Sequence, residues 1–154
     1  MLSLLPALAL ASGPLPPLER LPAPDFGDKE VAAAVDAVFA ALENGDGPAL
    51  LQVVYPQGRV TARGTLRSGF TGLRSQSFAE YAAAMKLGSG FHEQINDMVI
   101  ERDGDIAMLW APFTVSIDGK VVSCGTDHFD FVRENGQWKV MNLTFSSRTE
   151  GCGA

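Results

Sequence analysis

The spacing of apolar residues along the chain changes period once, near Phe91. Before that point the period is helical. DKEVAAAVDAVFAALENGDG sets Val31, Val35, Val38, Phe39 and Leu42 on one stripe, because residues three and four apart share a helix face. Asp28 stands where a side chain can cap the first free amides, and Asn44-Gly45 supplies the left-handed stop. Asp46 opens a second, shorter helix with Pro48 in its first turn and Leu50, Leu51 and Val54 as its buried face, and YPQG ends it. RVTARGTLRSGFTGLRS is polar and glycine-rich, which predicts a short strand over 58–63 and a loop after it. SFAEYAAAMKLG predicts a third helix: Ser77 and Glu80 match a capping box, Phe78, Tyr81, Ala82 and Met85 make the stripe, and Gly88 ends it.

From Phe91 the period is two. Asp103-Gly104, Asp118-Gly119 and Asn135-Gly136 punctuate the alternation, and such dipeptides suit hairpin turns that need positive φ at both central residues. They predict a four-stranded antiparallel meander over 91–102, 105–117, 120–134 and 137–147. The fold class is therefore α+β: three N-terminal helices packed on a curled, mainly antiparallel sheet. Two-residue turns fix the pairing. They place Asp97, Trp110, Asp127 and Thr144 in one row on one face, beside a row of Val99, Met108, Phe129 and Asn142. The opposite face carries Met98, Ile100, Leu109, Phe113, Val132, Leu143 and Phe145. Neither face is polar throughout, so one should take the helices and the other a partner, most simply a second copy of the chain. Pro112 in a central strand warns of a bulge, which would break this register.

The chain has 154 residues, enough for one domain with its own core. Its formal charge of −6, from 12 basic and 18 acidic residues, argues against nucleic acid or an anionic membrane as partner. No run of 18 apolar residues occurs, so no permanent membrane span is expected. MLSLLPALALASG holds an apolar run from Leu2 to Leu10 and an A-x-A-like site at Ala9-Leu10-Ala11, although no Lys or Arg precedes Arg20. It reads as a short export signal, with a disordered tail on a cytoplasmic protein as the alternative. GPLPPLERLPAP is linker composition. Residues 1–24 are thus set apart from a single domain over 25–154, in a periplasmic or secreted protein.

Three helices followed by a curled sheet resemble the nuclear transport factor 2-like cone fold, the group that includes ketosteroid isomerases and polyketide cyclases. AVDAVFAALENGDGPALLQVVYP resembles that group's first helix, Gly-Asp turn and second helix ending in an aromatic residue and proline. WAPFTVSIDGKVVSCGTDHFDFVRENGQWKVMNLTFSSRTEGC is similar to the branch named for lumazine binding: an IDGK-type turn, a Cys-Gly in the third strand, a Gly-x-Trp-Lys start to the last strand, and a terminal Gly-Cys. The resemblance covers about residues 30–152 and implies an internal pocket under the helices. It also implies that Trp138 points inward, which assigns the face with Asp127 and Asn142 to the cavity. No isomerase motif matches residue by residue, and function on this fold lives in the pocket.

Asp97 and Asp127, one strand apart, would have Cα atoms roughly 9–10 Å from each other. In a half-apolar cavity, one carboxyl with a raised pKa could act as base or as a neutral donor to an enolate. A wet cavity mouth or a structural network explains the same pair. Tyr55 and Tyr81 can bring hydroxyls over the pocket, while Trp110, Met108 and Phe129 would wall it for a planar ring, with Asn142 and Thr144 as polar contacts; core packing accounts for the aromatics equally well. His92 and His128 fall on the outer face, too far apart to share a metal, and no metal-ligand spacing occurs, so neither metal nor cofactor is expected. Cys124 and Cys152 can form a disulfide only if Arg148–Gly151 turns back. A buried Cys124 and a free tail thiol are the other readings. Arg59, Arg63, Arg67 and Arg74 could steer an anion, or simply be a solvated loop. The expected ligand is a small apolar or aromatic molecule, and the expected partner a second copy docked on the outer sheet face. The chemistry would be of the isomerase, cyclase or lyase kind, with a non-catalytic interaction module as the alternative.

Overall fold

The computed structural model describes residues 27–153. The expected signal and linker, and the side chain of Asp28, lie outside the described residues. Helix α1 (Gly27–Asn44) buries Val31, Val35, Val38, Phe39 and Leu42, the stripe its spacing predicts. Helix α2 (Gly47–Val53) starts at Asp46, whose Oδ1 accepts from the Ala49 amide at 2.9 Å. It stops one residue short of Val54, which already belongs to strand β1 (Val54–Thr65). The segment expected to be a loop is a second strand, β2 (Thr71–Ser77), paired antiparallel with β1. Glycine and arginine content misled there: both strands have solvent-facing positions, and the single turn between them takes Gly69 at φ 85°. Helix α3 (Phe78–Ala83) has the capping box of Ser77 and Glu80 and is shorter than its apolar stripe suggests.

The remaining strands are β3 (Phe91–Ile95), β4 (Val99–Asp103), β5 (Ile106–Ile117), β6 (Lys120–Glu134) and β7 (Gln137–Ser147). The sheet runs β2-β1-β7-β6-β5-β3, with β4 also on β5. Among the described strands only the β1–β7 pairing is parallel. The helices cover one face, where Leu109, Ala111, Phe129, Phe131, Val140 and Leu143 meet Val35, Val38 and Phe39. Phe129 sits at the centre, edge-on to Phe39 at 6.1 Å and stacked on Phe131 at 5.8 Å.

The predicted register holds next to the second and third turns and fails beyond them, at two bulges. One residue, Val122, is extra on β6, because Ser116 pairs with Val121 but Val115 pairs with Ser123. Another, Met141, is extra on β7, because Phe131 pairs with Val140 but Asp130 pairs with Asn142. A third shift separates β3 from β4. The first turn closes one residue later than expected, with Asp103 opposite Ile106. Ile95 pairs with Phe113 and Val99 with Trp110, so one extra residue lies between. The break faces Pro112. Its carbonyl accepts from the Asn96 amide at 3.1 Å, but it has no N–H to offer the same neighbour. Asp97 takes φ 45° in the gap.

Each one-residue shift moves a strand's side chains to the other face. Leu109, Phe113, Leu143 and Phe145 therefore lie beneath the helices, not outside. Trp110, Met108, Asn142 and Thr144 lie on the outer face, not in the cavity.

Candidate functional site

The concave face of the sheet and the three helices enclose a cavity of about 550 Å³, open at one end. Its walls are mainly apolar, with Phe113 and Phe145 meeting edge to face at 6.0 Å. Gly125 makes room for that wall, since a Cβ there would run into the Phe113 ring and the Ser146 carbonyl.

Two carboxyls project into this apolar space. Asp127 on β6 is 2 % exposed. It lies opposite Ala111 and Phe145, between core residues on both sides. Glu93 on β3 points to the same face, because the break at Asn96–Met98 gives β3 the opposite phase from β4. The side chains of Glu93 and Asp127 share a hydrogen bond, while Asp127 Oδ2 has no partner among the described residues. Burial pushes the Asp127 carboxyl up to about 7, even though the hydrogen bond from Glu93 pulls the other way. Glu93 is held well above the ordinary range by burial first, then by the charge of Asp127 and by their hydrogen bond. Two acids this close in a dry site cannot both ionise readily, so they titrate as a pair that keeps one proton near neutral pH.

Tyr81 on α3 completes the polar floor. Burial raises its pKa, and the charges of Glu93 and Asp127 act in the same direction, so its hydroxyl stays protonated as a donor. Arg67 and Arg74 oppose that rise, which places their guanidiniums within electrostatic reach of the same hydroxyl.

Of the residues singled out from sequence, Asp127 and Tyr81 meet at this cavity. Phe129 is fully buried behind it in the core. Asp97 is exposed at the β3–β4 break. Tyr55 stands at the start of β1, with Lys139 Nζ 6.0 Å from its ring and Glu134 beside its hydroxyl, away from the cavity. Trp110 is 51 % exposed on the outer face and lies 6.0 Å from the His128 ring. Glu93 was not singled out. The signal for it was Asn96-Asp97, a pair that tolerates left-handed backbone, directly after Ile95, the residue opposite Pro112 in the predicted pairing. Trp138 does point inward, donating from Nε1 to Glu30 Oε2 at 3.3 Å. Cys124 and Cys152 are joined by a disulfide with Cα atoms 5.4 Å apart. Gly151, at φ 66°, helps to turn the tail back, and Arg148 bridges to Cys124. No group of three or more His, Cys, Asp or Glu that could hold a metal occurs among the described residues. None of the described helices is long and apolar enough to cross a membrane.

No family model matches the sequence. No curated protein matches it either. Solved structures do match. A cystatin-like protein of unknown function from Nostoc punctiforme superposes with a TM-score of 0.64 over 80% of this chain and 92% of its own, at 13% identity. A nuclear transport factor 2-like protein of unknown function from Silicibacter pomeroyi gives 0.60 over 79% and 96%, at 20% identity. A candidate dehydratase of the same fold from Streptomyces avermitilis gives 0.58 over 80% and 97%, at 20% identity. The fold is thus the nuclear transport factor 2-like, cystatin-like α+β cone, with an acid pair at the floor of its cavity.

Proposed function

We propose that the cavity binds a small, largely apolar or aromatic molecule and moves a proton on a carbon next to its carbonyl. The observation that carries this reading is Asp127: fully buried, lining an open cavity beside Glu93, with its Oδ2 lacking a hydrogen-bond partner among the described residues. A buried polar atom left without a partner costs about 1–3 kcal/mol, and a ligand or substrate proton would recover that cost. The ionised member of the pair takes the proton from the carbon, and Tyr81 donates a hydrogen bond to the enolate oxygen that forms. Returning the proton to another carbon completes an isomerisation. If instead a β-hydroxyl leaves, Glu93 supplies the proton that departs with it as water. The Streptomyces avermitilis protein, named as a candidate dehydratase, carries its label on the same fold.

2-Tetralone in D₂O, followed by proton NMR, tests this directly. Wild-type protein should speed α-deuteration, with the rate rising as pH passes about 7, and Asp127→Asn should lose at least about a hundredfold of that rate. Exchange no faster than in buffer, or undiminished in Asp127→Asn, refutes the proposal.

Three further readings belong with it. Val99 and Trp110, paired on the outer face and about half exposed, support a homodimer through that face. The disulfide supports an exported protein, because such bonds persist in oxidising compartments. The IDGK turn, Cys124-Gly125 and the terminal Gly151-Cys152 support membership of the branch named for lumazine binding.

A further inference from the structure

We infer that the molecule this cavity takes is an anion, held with its charged group at the mouth and its uncharged end on the acid pair. The inference rests on the small-molecule reading above and adds the substrate class.

The charges lining the cavity are sorted by depth. Its acids are Glu93 and Asp127, half-buried and buried. Its cations are Arg67, Arg74 and Lys86, all at exposed positions. A chain of net charge −6 would not be expected to line this apolar cavity with three cations by composition alone. No ion pair engages any of the three cations among the described residues. Arg67 lies over the Phe91 ring at 5.9 Å, and Arg74 reaches Gln76 Oε1 at 3.5 Å, so both guanidiniums have donors to spare.

Strand pairing gives the span. Arg74 lies opposite Ala62, Ala62 opposite Phe145, and Phe145 opposite Asp127. These four occupy one row across the cavity face. Three strand spacings make roughly 14 Å along the sheet, and the curl shortens the path across the cavity. The wall between them is Ala62 and Phe145, small and aromatic, which suits a flat apolar body. Tyr81 lines the same cavity and feels both the acids and the arginines.

The orientation follows from charge. An acid pair that keeps one proton still carries one negative charge, so an anionic group would be repelled from the floor. A carbonyl or hydroxyl there is favoured. At the mouth the balance reverses, since Arg recognises carboxylates and similar oxyanions through paired N–H donors.

Two fluorescent probes with the same aromatic frame test this: 8-anilinonaphthalene-1-sulfonate, which is anionic, and N-phenyl-1-naphthylamine, which is neutral. On wild-type protein at low salt the anionic probe should bind roughly tenfold more tightly, and each should displace the other. The Arg67→Gln, Arg74→Gln double variant should erase that advantage and leave the neutral probe's affinity unchanged. Arg74→Glu should take the anionic probe below the neutral one. Both positions are exposed, so these variants are expected to fold, which circular dichroism checks. If the neutral probe binds and the anionic one binds no better, or keeps its advantage in the double variant, the anionic end is wrong and the small-molecule cavity stands. If neither probe binds, both readings fall.

Discussion

At the residue scale, the behaviour of this protein turns on one carboxyl in the wrong solvent. Asp127 has apolar neighbours and a second acid beside it. In the unfolded chain its carboxyl would ionise near 4, whereas in the fold it holds its proton until about 7. Between those values the native state binds more protons than the unfolded state, so stability falls as pH rises from about 4 to about 7 and levels off above. Glu93, raised for the same reasons, extends the decline in the same direction. Urea unfolding measured across pH 4–8 should show this slope, and Asp127→Asn should remove the share that Asp127 contributes while being the more stable protein at pH 8. A slope of the opposite sign would mean that the pair is ionised and well solvated. Asp127 was legible in the sequence as an acid on the face that Trp138 marks as inner. Its partner was not. Asp97 was expected there, and the phase change opposite Pro112 put Glu93 in its place.

At the element scale, alternation and turn chemistry foretold β5, β6 and β7, the helical stripe and the Asn44-Gly45 stop foretold α1, and the Asp46 cap foretold α2. Their register was legible only close to each turn, because a bulge adds a residue without changing the local apolar pattern. Val122 and Met141 are ordinary strand residues, and nothing in their identity announces an extra position. β2 was missed because an edge strand with solvent on both sides has no apolar alternation to read. The tail was legible as a choice between a disulfide and free thiols. What decided it was the turn at Gly151, which brings Cys152 back to β6. Closing a loop of separation 28 is worth about 3–4 kcal/mol by loop entropy. Cys152→Ser should therefore lower unfolding free energy by about 2–4 kcal/mol, read by urea denaturation under non-reducing conditions. A change below about 0.5 kcal/mol would mean that the tail contributes little to holding the sheet.

At the scale of the whole molecule, the curl of the sheet does two things. It wraps the inner face around the helices, which makes the cavity, and it presents an outer face where Val99 and Trp110 are about half exposed. Exposed apolar side chains set side by side on a sheet favour a covering partner, and a second copy of the same face meets them with like chemistry. Light scattering on the purified protein should give a dimer, and Trp110→Glu should give a monomer of unchanged thermal stability. A monomeric wild type would rule out the outer face as a stable interface. Fold class was thus readable from pattern alone, and the resemblance to the cone fold located the cavity. The composition of its floor was not readable, since it depends on three single-residue shifts that together decide which side chains face in.

The two carboxyls can be watched directly. Carbon-13 NMR of protein labelled at the aspartate and glutamate side-chain carboxyls, titrated from pH 3 to pH 10 with Asp127→Asn for assignment, reports each acid separately. Asp127 is expected to titrate near 7, and Glu93 to stay protonated well above the ordinary carboxylate range. If both titrate below about 5, as solvated carboxyls do, they do not share a proton in a dry cavity, and the proposed chemistry has neither a base poised near neutral pH nor an acid to supply the leaving proton.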